Sequence, residues 1–288
     1  MVFNPEDHLK EIREHPFKNN KYVEDLYKKG LEEIEGNIIQ MDEFSNYKDI
    51  DKDQAYVEKM KVKFEKQDTE DEKKDKKLAT VLEAVVGYQV NQNCCFGMEV
   101  STIHTCEYDD IANGVDNIVE VQESKGKADH LAMATDETFS ADIEEKIKDI
   151  KKDIVSGKLS TVKYFKSEFL GIKGEKIGIP KFILGVSRGT LEEISELWYT
   201  GKYKTLSEHP SQIMYLDQIL VQLEYFRNFA LGVNQIEIAH KYEHLAELFK
   251  NINENTKSQR DKILDNKENQ KLINEDEVHQ AIMSLKHS

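Results

Sequence analysis

Two aspartates stand inside short apolar stretches of this sequence, a position in which a carboxylate needs a partner. Asp116 lies in the stretch 115–121 and Asp136 in the stretch 131–139. Burying a carboxylate is costly unless it is paired or binds a cation. Both stretches have the length and composition of β-strands, so two carboxylates on adjacent strands indicate a shared positive partner. Because oxygen-rich sites prefer Mg²⁺, Mn²⁺ or Ca²⁺, we predict a divalent-metal site here.

The elements that must position these aspartates follow from the residues around them. Residues 122–129 are turn-like, which predicts that the two strands are neighbours. Asn113 and Gly114 form a turn signal just before the first strand. A helix follows the second strand, and its face for packing on the sheet is formed by isoleucines at helical spacing. These are Ile143, Ile147, Ile150 and Ile154.

The order of these features resembles the PD-(D/E)XK nuclease superfamily, in which an acid begins one strand and a D/E-x-K motif lies on its neighbour. Here Asp110 precedes the strand-opening segment 114–116, Asp136 lies on the next strand, and a helix follows from Asp142. The resemblance implies an α/β fold with a small mixed central sheet flanked by helices, as in restriction endonucleases. It also implies hydrolysis of phosphodiester bonds with Mg²⁺ or Mn²⁺ as the cofactor.

The same resemblance, which covers residues 77–230, implies roles for individual residues. Asp116 and Asp136 would hold the metal ion, with the main-chain carbonyl of Glu137 as a further oxygen ligand. Asp110 would assist with the metal or with the attacking water. These residues form the predicted metal site.

One position departs from the superfamily pattern, because Thr138 stands where the motif lysine is expected. Lysine can lie on a neighbouring element in this superfamily, and Lys146 borders the isoleucine face of the next helix. Its long stem can follow apolar surface and bring its ammonium towards the strand end. We therefore predict that Lys146 takes the catalytic role of the motif lysine, with Lys148, Lys151 and Lys152 as alternatives.

Composition shifts divide the chain into three expected parts. Residues 1–76 are charged and helix-like, and form an N-terminal extension. Residues 77–234 hold the nuclease-like α/β core. Residues 235–288 are expected to be a helical C-terminal tail, partly disordered after Asn253 because its apolar content is low.

Composition also excludes several classes of protein. The chain of 288 residues contains no apolar run long enough to span a membrane, and its polar N-terminus is no secretory signal. Three cysteines without metal-ligand spacing indicate reduced thiols, as in a cytoplasmic protein. Phosphate-loop and serine-hydrolase motifs are missing. His240 and His244 have zinc-compatible spacing, but no third ligand is evident in the sequence, so we expect a solvated pair.

The net charge of −15 argues against a general nucleic-acid coat protein. However, acidic groups dominate residues 77–140, and basic groups outnumber them in residues 141–206. This distribution suits a metal site beside a phosphate-facing surface, although acidic residues that merely solvate loops would give the same pattern. The sequence therefore predicts a Mg²⁺-dependent endonuclease or exonuclease acting on DNA rather than RNA. The alternatives are an inactive nuclease fold used as a binding protein, and a helical interaction protein with charged ends.

Overall fold

The computed structural model describes residues 16–136, 140–167 and 169–287, without the side chains of residues 16, 134–136 and 140–142. The described strands are β1 Val100–His104, β2 Asn117–Ser124, β3 Lys127–Asp136, β4 Ser160–Lys166, β5 Lys173–Ile179 and β6 Lys181–Gly185. The described α-helices are α1 Asn20–Glu35, α2 Ile50–Gln67, α3 Glu70–Asn91, α4 Glu107–Asn113, α5 Ser140–Val155, α6 Arg188–Tyr199, α7 Tyr203–Leu206, α8 Ser211–Gly232, α9 Ile236–Asn255, α10 Lys257–Leu264, α11 Lys267–Glu275 and α12 Glu277–Met283. None of these helices combines the length and the apolar character required to span a membrane.

The central sheet has four strands in the order β1-β2-β3-β6. Strands β1, β2 and β3 are antiparallel neighbours, whereas β6 runs parallel to β3. A parallel neighbour requires a crossover connection. Here the connection contains α5 and the separate antiparallel hairpin β4–β5. The expected α/β fold with a small mixed sheet and helical extensions is confirmed.

The two faces of this sheet have different neighbours. Strand residues alternate between the faces. On one face, Val119, Leu131 and Phe182 join the main apolar core, to which α3 contributes. On the other face, Ile118 and Ala132 pack with apolar residues of the β4–β5 hairpin. Asp116 immediately precedes β2 and shares the parity of Ile118, so the sheet directs it to the hairpin side.

Side chains from helices α8 and α9 cover the outer edge of β6. Gln222 accepts a hydrogen bond from the Ile183 N–H (2.9 Å) and donates one to the Ile183 carbonyl (2.7 Å). Gln218 does the same for Gly185, at 3.1 and 2.8 Å. The hydroxyl of Tyr242 completes the row by bonding both backbone groups of the first residue of β6. These side chains take the place of a fifth strand, so a strand of another chain cannot pair with this edge.

The N-terminal extension is continuous with the core in this structure. Helix α3 begins with a capping box, Thr69 and Glu72, and continues to Asn91, so position 76/77 lies inside a single helix. Val23 and Leu26 of α1 are buried in the same apolar core as the sheet. The boundary predicted after residue 76 falls inside this helix. A change from charged to apolar composition can occur within one helix whose first turns are solvated.

The C-terminal segment also differs from the expected loose tail. It forms helices up to Met283, and Val278 and Ile282 are buried in the main core. Asp276, which is 2% exposed, accepts hydrogen bonds from the Ser187 N–H (2.9 Å) and the Thr190 hydroxyl (2.6 Å). A few apolar residues are sufficient to dock this segment because a buried carboxylate fastens it to the start of α6.

Candidate functional site

Helix α4, which carries Asp110, is fixed to the hairpin by the aspartate next to it. Asp109 is fully buried and accepts hydrogen bonds from the backbone N–H groups of Lys163 (2.7 Å) and Tyr164 (2.9 Å). The Asn113 side chain donates a third bond to it, at 2.6 Å. A carboxylate that satisfies two strand N–H groups holds its own backbone firmly in place. Asp109 therefore positions α4 and, with it, the next residue, Asp110.

A left-handed glycine brings the chain from α4 to β2. Gly114 has φ +57°, a conformation that other residues adopt only with strain, and its N–H bonds the Asp110 carbonyl at 2.9 Å. Two residues later, the Asp116 N–H bonds the Met133 carbonyl at 3.1 Å, which ties the start of β2 to β3. This tight turn explains how two aspartates six positions apart come together.

The carboxyl groups of Asp110 and Asp116 share a hydrogen bond. Asp116 is half-buried, whereas Asp110 is exposed as a whole residue. Partial burial of the Asp110 carboxyl, the charge of Asp116 and the hydrogen bond between them raise the pKa of Asp110 to about 8. Two carboxyl groups in contact cannot both ionise easily without a cation.

Lys181 completes this cluster and was not predicted from the sequence. It is the first residue of β6, and its ammonium donates a hydrogen bond to the Gly114 carbonyl. Burial lowers its pKa, while the negative charges of Asp116 and Asp153 oppose that change. The sequence contained one sign of its role, since it is the sole charged residue in the otherwise apolar run 179–186.

Lys146 on α5 acts on this cluster through its charge. It is half-buried, and its positive charge contributes to lowering the pKa of Lys181. The ammonium of Lys151 instead donates to the Tyr225 hydroxyl at 3.3 Å, and that of Lys152 binds Asp149 at 2.7 Å. The alternative Lys148 is exposed. The charge of Lys146 therefore acts on this cluster, whereas Lys151 and Lys152 make other contacts, and the catalytic role of Lys146 stays a prediction.

The other predicted metal ligands lie at the edge of what the structure describes. The backbone of Asp136 pairs with Gly185 at the end of β3, on the strand next to Asp116. Its side chain lies outside the described residues, as do Glu137 and Thr138. A cation shared by Asp116 and Asp136 remains a prediction.

Comparison of the chain with protein-family models, with curated proteins and with solved structures gives no match. The chemistry of the site must therefore be judged from its own residues. The described cluster offers carboxyl oxygens from Asp110 and Asp116, and ammonium groups from Lys181 with Lys146 nearby. Carboxylates suit a hard divalent cation, and ammonium groups suit a phosphate.

A second polar network on the same sheet face is structural. Glu120 is fully buried, contacts His130 Nε2 at 3.0 Å and accepts hydrogen bonds from the Ser167 hydroxyl and the Phe169 N–H (3.2 Å). Burial raises its pKa, but the hydrogen bonds from His130, Ser167 and Phe169 outweigh this and lower it overall. In a serine-hydrolase triad the histidine lies between the acid and the serine. Here the acid lies between them, so the network holds the hairpin on the sheet.

His104 and Cys106 lie two positions apart, but the surroundings of the thiol exclude a cysteine-hydrolase site. The Cys106 thiol is buried and hydrogen-bonds Asp109 at 3.4 Å. Burial and the charge of Asp109 raise the pKa of Cys106 to about 12. A thiol in this environment is not a nucleophile at neutral pH.

Proposed function

We propose that this chain is a metal-dependent nuclease-like protein that hydrolyses phosphodiester bonds in DNA. The observation that carries the proposal is the hydrogen-bonded carboxyl pair of Asp110 and Asp116 beside the ammonium of Lys181. Carboxylates that converge with a lysine at a strand end are the parts that phosphodiester hydrolysis requires.

The described residues fit a Mg²⁺ or Mn²⁺ ion. Both aspartates supply oxygen donors, and their mutual contact is one that a divalent cation would relieve. Asp110 and Asp116 would hold the ion, and the backbone of the predicted ligand Asp136 ends the neighbouring strand β3. When bound, such an ion supplies a water of lowered pKa and positive charge beside the phosphate.

The protein groups have distinct roles in this proposal. Asp116 orients the attacking water from the start of β2, and Asp110, which would share the ion with it, holds that water by a hydrogen bond. The ammonium groups of Lys181 and Lys146 stabilise negative charge that develops on the phosphate oxygens. Asp109 keeps α4 in place so that Asp110 stays in contact with Asp116.

The order of elements supports the same reading. Helix α3, the antiparallel strands β1 to β3, helix α5 and the parallel strand β6 form a small mixed sheet flanked by helices, as the nuclease resemblance implies, with the β4–β5 hairpin inserted before β6. DNA is the proposed substrate because the positively charged segment 141–206 contributes both Lys146 and Lys181 to the cluster. Free cysteines agree with a cytoplasmic location as part of the proposal.

A second candidate function is an inactive nuclease fold that binds a partner. One observation favours it, because the Lys181 ammonium already lies beside Asp116 and partly neutralises the carboxyl pair. The threonine at position 138 is also consistent with loss of catalysis.

Cleavage of supercoiled plasmid DNA tests the proposal. The wild-type protein should nick the plasmid with Mg²⁺ or Mn²⁺ and should not do so with EDTA. Asp116→Asn keeps the shape of the side chain and removes its charge, so it should reduce the rate by at least about 100-fold. Lys181→Met keeps the apolar stem and should also slow cleavage strongly.

The matched control is Asp265→Asn, which changes an exposed aspartate at the end of α10 and should cleave like the wild type. Cleavage by Asp116→Asn at the wild-type rate would place the active site elsewhere. A wild-type protein that binds DNA without cutting it in either metal would favour the inactive nuclease fold.

A further inference from the structure

A second group of metal-binding side chains lies at the opposite end of the β2–β3 hairpin from Asp116. Glu123 stands near the end of β2, Asp129 near the start of β3, and His244 on α9. One ligand atom from each lies within 4.8 Å of the others. The residues come from three separate elements, so the fold brings them together.

The distances within this group match a tetrahedral transition-metal site. His244 Nε2 lies 3.0 Å from Asp129 Oδ2 and 3.4 Å from Glu123 Oε1. Zinc bonds of about 2.1 Å at tetrahedral angles place neighbouring ligand atoms about 3.4 Å apart. A cation can therefore enter with side-chain movements of a few tenths of an ångström for these two pairs.

The group already attracts one positive charge, the ammonium of Lys127 beside Glu123. Glu123 Oε1 is buried and lacks a hydrogen-bond partner, although it is directed into the group. The ammonium of Lys127 lies 2.6 Å from the same oxygen and donates a hydrogen bond to Glu123 Oε2 at 2.7 Å. The Lys127 side chain is 61% exposed, so it can swing into solvent when a metal ion takes its place.

We propose that Glu123, Asp129 and His244 form a binding site for a divalent transition metal, Zn²⁺ in the first instance. Imidazole nitrogen with carboxylate oxygens is a donor set that zinc accepts, and three protein ligands leave a position for water. The ion would clamp α9 to the end of the β2–β3 hairpin. The site is separate from the Asp110–Asp116 cluster, and the proposal does not depend on nuclease activity.

The histidine one turn earlier on α9 supplies a matched control. His240 is exposed and is not part of the group. Untagged full-length protein is stripped with chelator and then melted with and without micromolar Zn²⁺. Wild type and His240→Ala should both gain several degrees in melting temperature, because a ligand that binds the folded state stabilises it. His244→Gln and Asp129→Asn should show no Zn²⁺-induced gain.

Cobalt provides a second readout that a simple ion pair would not give. Co²⁺ titrated into the wild type should produce the strong visible absorption of a tetrahedral site, and His244→Gln should not. His244→Gln changes the size of the side chain little. The melting temperature of this variant without metal shows whether it is folded. A wild-type protein without a Zn²⁺ shift and without the Co²⁺ band would reduce the group to ion pairs. A full Zn²⁺ shift in His244→Gln would also overturn the proposal.

Discussion

The contact between Asp110 and Asp116 should make stability depend on pH. The pKa of Asp110 is raised from its ordinary value of 3.8 to about 8 by burial and by the charge of Asp116. Between these values the folded protein keeps a proton that the unfolded chain has lost. The free energy of unfolding should therefore fall as pH rises through this window.

Asp110→Asn should remove this fall, because an amide does not titrate. Urea unfolding at pH 5 and pH 8 measures the effect, with Asp265→Asn as the control that keeps the wild-type dependence. An Asp110→Asn protein that loses as much stability between these pH values as the wild type would show that the two carboxyl groups are not coupled.

Residue type and spacing identified the aspartates but missed Lys181. Asp110 and Asp116 are joined by a short turn, so their proximity follows from the local signal at Gly114. Lys181 reaches the same place only because β6 pairs with β3, which is a long-range feature. The choice among the lysines of α5 likewise depended on helix orientation, which local periodicity defines only to within a turn.

At the scale of elements, the attachment of α4 to the hairpin should depend on Asp109. Asp109→Asn replaces one acceptor oxygen with an amide that cannot accept, which leaves a buried strand N–H without a partner. The free energy of unfolding should fall by about 1–3 kcal/mol.

Native-state hydrogen exchange gives the local readout for this change. The amides of Lys163 and Tyr164 should exchange faster in Asp109→Asn than in the wild type, whereas Asp110→Asn should leave them protected. Unchanged protection of these two amides in Asp109→Asn would show that β4 holds α4 by other contacts.

The strands around the site could be predicted better than the hairpin that covers them. Strands β2 and β3 and the helix α5 have clear patterns, and the structure contains all three. The two strands extend into residues 122–124 and 127–129, which were expected as turn, because the antiparallel pairing continues up to a tight connection. Strand β5, at Lys173–Ile179, lacks a clear strand pattern in the sequence. Five of its seven residues are lysine, glycine or glutamate, so its extended form depends on pairing with β4 rather than on its own composition.

At the scale of the whole molecule, the C-terminal helix should contribute to global stability. Ile282 is fully buried in the main core, so Ile282→Ala should lower the free energy of unfolding by about 2–5 kcal/mol. Met98 is 82% exposed, and Met98→Ala should change stability by less than about 0.5 kcal/mol. Urea unfolding compares the two variants, and equal stabilities would mean that α12 is not part of the cooperative unit.

Domain limits were the least predictable feature at this scale. Composition separated residues 1–76 and 235–288 from the centre, whereas packing unites them through α1 and α12. Sparse apolar residues such as Val23 and Ile282 look insufficient in sequence. They suffice in the fold because each one enters a core that the central elements have already formed.

In the proposed site, the carboxylates at the start of β2 and the end of β3 hold one divalent cation. Mn²⁺ binding measured by calorimetry and by electron paramagnetic resonance tests this most directly, in a His244→Gln background that removes the second group of ligands. We expect one Mn²⁺ per chain in that background, and its loss in both Asp116→Asn and Asp136→Asn. Undiminished Mn²⁺ binding in those two variants, or none in the parent, would contradict it.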